Sequence, residues 1–264
     1  MMGGVLFIVK NKSIRQRYGG TLLMVLLLLA LWQWIVMNGY IADYLLPSPS
    51  QIGQALIKNR QLLWMHSKTT LYEAVVGMSL GVGLGTILAV IMEWVPLLHR
   101  GIYPLLIISQ TIPTVAIAPM LVLWFGYGIL PKVLLVILTT FFPITIGLLK
   151  GFHSVDEEVI RLMRSMKAST TQMMRFVKFP TALPYFFTNL RLSASYAVVA
   201  AVVAEWLGGQ SGLGVYMTLA RKSYAFDVMF AIIVVVSLLS LVLLKGVDLL
   251  EYLSLPWKQK GRTK

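Results

Sequence analysis

The sequence predicts an all-α, polytopic membrane protein with six transmembrane helices, and three observations carry that reading. Of the 264 residues, 58 % are hydrophobic and 12 % charged, about half the charged share of an ordinary soluble domain. Six apolar runs approach the length that crosses a hydrocarbon core, about 17–25 residues each. Lys and Arg flank those runs far more heavily on one side than on the other, as membrane topology requires. The formal charge of +13 therefore reports orientation in a bilayer, not a nucleic-acid partner. The chain has no cysteine, which excludes disulfides and thiolate chemistry.

The N-terminal tail, residues 1–20, carries Lys10, Lys12, Arg15 and Arg17 ahead of the first span, 21–37. No small-x-small cleavage site follows in NGYIADYLLP, so this helix reads as uncleaved. In LLPSPSQIGQALIKNRQLLWMHSK, Pro47 and Pro49 forbid a helix through them, and Ser48 or Ser50 can cap the one that follows. Ile52, Ala55, Leu56, Leu62 and Leu63 then share a face, giving a short amphipathic helix on the membrane surface.

The second span, 70–92, sets Gly77, Gly81 and Gly85 four apart, on one face where another backbone can approach closely. The third, 102–125, contains Pro104, Pro113 and Pro119. Each removes a rung of the hydrogen-bond ladder, and carbonyls freed at membrane depth are tolerated only where protein or a water-filled cavity covers them. SQTIPTVAIAP is thus either the lining of a pathway or an ordinary kinked helix packed among its neighbours. The turn GYGILP leads into the fourth span, 132–149, kinked at Pro143. The fifth, 190–207, is followed by GGQSGLG and a re-entrant or surface piece to Asp227, and the sixth is 228–244. Residues 21–247 form the transmembrane domain and 248–264 a basic tail.

Six spans put both termini on one side. That side receives 17 Lys and Arg against six on the other, which places the termini and the 150–189 loop in the cytoplasm. Within this loop, His153 to Pro184 is the longest charged interruption of the chain. Asp156, Glu157 and Glu158 favour a helix N-terminus electrostatically. Val159, Leu162, Met163 and Met166 recur at helical spacing, Ser169 can cap a second piece, and Met173, Met174, Phe176 and Val177 give another apolar face before Pro180 stops it. Such faces cover either a partner, the membrane interface or the protein's own helix ends. Methionines suit a partner that changes shape.

These stretches resemble the permease subunits of ABC importers, the binding-protein-dependent transport systems, in the branch serving sulfonates, taurine, nitrate and thiamine precursors. The likeness runs through LLPSPSQI, SQTIPTVAIAPMLVLWFGYGILPKVLLVILTTFFPI and AEWLGGQSGLG. The family's cytoplasmic motif reads Glu-Ala-Ala, three residues, Gly, nine residues, Ile-x-Leu-Pro. Arg161, Leu162 and Met163, then Lys167, then Val177, Phe179 and Pro180 stand at those places, and only the proline is identical. Ala168, Ser169, Phe176, Pro184 and Arg191 also match the family.

The resemblance implies a type I importer permease (MetI-like) architecture in the cell membrane. It also implies a cytoplasmic coupling helix around Glu158, Arg161, Leu162, Met163, Lys167, Ala168, Ser169, Phe176 and Pro180 that docks on a separate ABC ATPase subunit. An extracytoplasmic solute-binding protein, a second, identical permease copy and membrane lipid complete the expected partners. An arginine where the family has an acid calls for a reversed charge on the ATPase.

No G-x-x-x-x-G-K-[ST] loop is present, so the energy must come from another subunit. No G-x-S-x-G exists, and His66, His99 and His153 lie on separate loops, so neither a catalytic centre, a metal nor a cofactor is expected. A self-powered carrier or channel would show inverted repeats or paired intramembrane ionisable groups, and the sequence displays neither. Ser109, Gln110 and Thr111 beside Pro113 combine hydrogen-bonding groups with freed backbone, which makes them candidates for solute contact. Glu205, beside Trp206, is a further candidate, since an acid at membrane depth is functional by default. Structural pairing of Glu205 and Glu73 with Arg191, Lys68 or a backbone amide is the competing expectation.

Overall fold

The computed structural model describes residues 14–42 and 45–256. The basic clusters expected at Lys10, Lys12 and in KQKGRTK lie outside the described residues. Helices account for nearly all of the rest: α1 (Ile14–Met37), α2 (Pro49–Lys58), α3 (Arg60–Trp94), α4 (Pro96–Ser109), α5 (Thr114–Phe125), α6 (Leu130–His153), α7 (Glu157–Ser165), α8 (Thr170–Met173), α9 (Phe179–Gly208), α10 (Leu213–Lys222) and α11 (Phe226–Ser254). Five of these are long and apolar enough to cross a membrane, and α4 with α5 make a sixth span broken by 97°.

The core is α3, α6 and α9. Gly77, Gly81 and Gly85 lie buried on the face of α3 that meets α6. A Cβ on Gly77 would meet the Val136 side chain at 2.5 Å, and one on Gly85 would lie 2.8 Å from the Phe141 carbonyl oxygen. Bare backbone at these positions lets the helices touch, and the Thr145 hydroxyl donates across the seam to the Gly85 carbonyl at 3.2 Å. Gly147 and Gly151 repeat the device where α6 meets α9: a Cβ on Gly151 would sit 2.7 Å from Ala182 Cα. Without a hydrophobic driving force between helices in lipid, such close van der Waals contact is what holds them together.

The remaining elements hang on this core. Arg191 of α9 pairs with Asp248 Oδ1 at 2.7 Å and with Glu251, fixing α11. Ser48 caps α2 in a reciprocal arrangement with Gln51. Gln33 of α1 both donates to and accepts from Ser50, tying α1 to α2.

Several expected boundaries shift. The surface helix ends at Lys58, and Leu62 and Leu63 belong to α3, which begins ten residues before the expected start at 70. The third span is two nearly perpendicular helices rather than one kinked helix, because Pro113 has no N–H with which to continue the ladder. The final helix runs past 247 to Ser254, where Glu251 is held by Arg191. Pro180 does not stop the loop's second helix. Residues Met174–Lys178 form a π-helical turn that passes into α9, and Pro180 falls in the first turn of that helix. Widening the ladder there accommodates the missing N–H.

The glycine seam gives the first testable outcome. Gly85→Ala forces a methyl group onto a carbonyl that cannot rotate away, and should cost about 1–3 kcal/mol. Gly83→Ala, where a Cβ meets nothing within 4 Å, should be neutral or gain up to about 1 kcal/mol. Unfolding in detergent followed by tryptophan fluorescence compares the two.

Candidate translocation groove, buried latch and coupling loop

The break between α4 and α5 opens a groove of about 450 Å³ on the α6 and α9 faces. Ser109, Gln110, Ile112, Thr114 and Val115 form its α4–α5 side, with Leu138, Thr139, Phe142 and Pro143 of α6 and Leu192, Tyr196 and Val199 of α9 opposite. Of the residues expected at the pathway, the groove takes Ser109 and Gln110. Thr111 and Pro113 stand at the bend without lining it, and the Thr111 hydroxyl donates back to the Ile108 carbonyl at 2.7 Å. Among the described residues, no charged side chain lines the groove.

Glu205 lies elsewhere, in a buried latch at the end of the bundle where α3 begins and α9 ends. It is 1 % exposed. One carboxylate oxygen accepts the Thr70 hydroxyl at 2.7 Å and the other the Gly214 amide at 2.6 Å. Thr70 in turn accepts from the Leu213 amide at 2.8 Å, and His66 Nδ1 from the Gly212 amide at 3.0 Å. The His66 ring stacks on Tyr216. Three successive amides of GGQSGLG, those of Gly212, Leu213 and Gly214, are thus held by His66, Thr70 and Glu205. Gly212 has φ +118°, and a Cβ there would collide with the Glu205 carboxylate, so only glycine serves on both counts.

Beside it Glu73, also 1 % exposed, accepts from Lys132 Nζ at 2.7 Å, and Lys132 reaches the Ser211 carbonyl at 3.4 Å. Glu73 therefore pairs with neither Arg191 nor Lys68. Arg191 is taken by α11, and Lys132 is a buried partner rather than a loop cation. The expectation that the chain lacks paired ionisable groups among its spans is corrected by this pair. The two residues are 59 positions apart, and nothing in either local stretch announces the other.

At the opposite end lies the 150–189 loop, for which coupling to an ATPase is the expectation. Asp156 caps α7 by accepting the Glu158 amide at 2.9 Å, and Glu157 and Glu158 occupy the first turn, where carboxylates oppose the helix dipole. No residue of α7 is buried; Leu162 and Met166 are 61 % and 71 % exposed, with Arg161 among them. Lys167 ends the helix at φ +54°, and its amide and that of Ala168 bond back to the Arg164 and Met163 carbonyls. Ser169 caps α8 with a reciprocal bond to Gln172. In the second piece, Met174 is buried against Phe152, Leu149 and Ala182, whereas Phe176 is exposed. One expected apolar face thus covers the protein's own helix ends, and the other, on α7, is left open.

Residues 81–253 match the family model described as binding-protein-dependent transport system inner membrane component. The chain belongs to that family. This permease is 38 % identical over 236 residues to the formylaminopyrimidine transport permease ThiX of Halalkalibacterium halodurans, covering 89 % of this chain and 94 % of that one. It is 35 % identical over 238 residues to the riboflavin transport system permease RibX of Chloroflexus aurantiacus, covering 88 % of each. The crystal structure of an amino acid ABC transporter with histidines shares the fold at TM-score 0.64 and 15 % identity, covering 75 % of this chain and 96 % of that chain. The architecture is that of a type I ABC importer permease, and the protein is a transport subunit rather than an enzyme.

The permease has another contact that sequence spacing missed. His99 and His153, assigned to separate loops, lie with their rings 5.2 Å apart. Only the packing of α4 against the end of α6 shows it.

The latch predicts a distinctive pattern of stability. Lys132→Met strands the buried Glu73 carboxylate, and removing one partner of a buried pair costs about 3–5 kcal/mol. The double change Lys132→Met with Glu73→Leu removes both charges and should recover most of that loss. Thermal unfolding of the purified permease variants measures the difference.

Proposed function

We propose that two copies of this permease meet across the groove and move a small, uncharged, planar heterocycle inward under ATP. Each copy rests α7 on one ATPase subunit at the cytoplasmic side, where the charge asymmetry also puts the termini. The binding protein delivers solute to the other end, formed by α2, α10 and the 208–214 loop. The observation that carries this reading is α7, a capped helix whose apolar stripe the described residues leave uncovered while Met174 packs the neighbouring π-turn down. Arg161, where the family has an acid, calls for an acidic ATPase surface.

The groove supports the rest. Gln110, Thr139 and Tyr196 would be costly against hydrocarbon and suit a passage closed by a second copy. Its lining offers ring faces on Phe142 and Tyr196 and hydrogen-bonding groups on Ser109, Gln110 and Thr139, but no counter-charge. A sulfonate would find nothing to offset its desolvation there. Formylaminopyrimidine and riboflavin, named for the two relatives, are neutral nitrogen heteroaromatics.

ATP-loaded proteoliposomes containing the complex purified with its associated subunits and binding protein provide the test. Leu162→Asp with Met166→Asp should cut uptake by about tenfold or more, since an unpaired carboxylate in an apolar interface costs well over the about 1.4 kcal/mol that a factor of ten represents. It should also release the ATPase during purification. Uptake driven by an ion gradient without the ATPase would overturn the reading. Unlabelled pyrimidine or flavin should compete for uptake and taurine should not; the reverse order assigns a sulfonate solute.

A further inference from the structure

One buried carboxylate gathers the elements around the coupling loop. Glu93, near the end of α3, has a side chain only 7 % exposed. Lys178, the last residue of the π-helical turn, donates to its Oε1. His153, at the end of α6, brings Nε2 to 3.9 Å from its Oε2, while His153 Nδ1 lies 2.7 Å from the Leu149 carbonyl. The His153 ring lies against that of His99 on α4, which itself stacks on Tyr103. Glu93 of α3 thus joins the π-turn and the end of α6, His153 extends the contact to His99 near the start of α4, and the far end of α4 carries Ser109 and Gln110 of the groove.

We infer that Glu93 and Lys178 are positioning residues for the transport cycle: their ion pair carries displacement of the coupling loop into α3 and, through His153 and His99, into the α4 that borders the groove. This rests on the reading that the loop docks on the ATPase. Two physical points favour transmission over simple anchorage. A π-turn is a wound-open segment that re-registers at modest cost, and such turns recur at functional sites. Apolar packing by Met174 already holds the turn down, so the ion pair is not needed merely to keep it in place. It adds a directional tether that a methionine plug lacks: an ammonium pulled with the turn drags its carboxylate, because separating them leaves the nearly buried Glu93 carboxylate without that counter-charge.

The absence of cysteine from the chain allows a clean readout independent of solute identity. A single Thr139→Cys in the groove is labelled with a maleimide in the complex retaining its ATPase subunits, with and without ATP plus vanadate. The nucleotide should change the labelling rate severalfold in the otherwise unaltered chain. Lys178→Met and Glu93→Gln should each abolish that change while the ATPase still co-purifies, Lys178→Arg should restore it, and the exchanged pair Lys178→Glu with Glu93→Lys should restore it in part. A nucleotide response that persists in Lys178→Met overturns the inference. So does a lost response that neither Lys178→Arg nor the exchanged pair recovers, since that marks the pair as structural only. No response in the unaltered chain instead defeats the underlying reading of the groove and loop.

Discussion

The constraint on which the rest depends is how closely α3 and α6 approach. In a bilayer the lipid tails are as apolar as the side chains, so burial alone does not bring helices together. Contact must come from shape, and the bare faces of Gly77, Gly81 and Gly85 supply it on one side, with Gly147 and Gly151 supplying it toward α9. Three helices locked backbone to backbone make a body stiff enough that the mobile parts can be few. The broken α4–α5 pair flanks that body, and α11 is attached to α9 by the Arg191 ion pairs together with Val236, Leu239 and Leu243 packed on Ala197, Val198, Ala200 and Ala201.

Polar groups sit where this body needs fixed ends. At one end the latch holds the 208–214 loop by its own amides, converging on Glu205, Thr70 and His66. At the other, Glu93 receives Lys178 and faces His153. Ionisable groups buried in a membrane protein are expensive and persist only when paired. Their separation to the two ends leaves the middle, where the groove opens, free of charge. That division is consistent with a passage that admits solute transiently and holds it weakly.

Much of this was legible because it is local. Runs of apolar residues mark spans, Ser48 and Ser169 announce caps, and glycines four apart define a face whatever they touch. Ser109 and Gln110 stand at the break between α4 and α5, where proline beside polar residues signals freed backbone within a short window. What stayed hidden is long-range. Lys132 looks like a loop cation until Glu73 is seen beneath it, and Glu205 looks like a pathway acid until a glycine loop nine residues on folds back over it. His99 and His153 are brought together only by tertiary packing. Pro180 misled because a proline usually ends a helix, and the compensating π-turn has no sequence signature of its own.

The coupling motif shows how a fold can keep a device while losing its letters. Where the family has glycine, this chain has Lys167 at φ +54°, a left-handed position that glycine occupies freely and other residues at a cost of about 1–2 kcal/mol. The lysine has not altered the turn. The backbone still closes there, with the Lys167 and Ala168 amides returned to the carbonyls of α7 and Ser169 starting the next helix. Tolerating that strain rather than abandoning the turn indicates that the geometry between α7 and α8 is what must be retained, because it sets the angle at which the apolar stripe meets a partner. Side-chain identity along the stripe is then free to drift with the partner's surface. On the proposed docking of α7, Arg161 would bear on which ATPase is accepted, whereas the turn at Lys167 would bear on whether any can be.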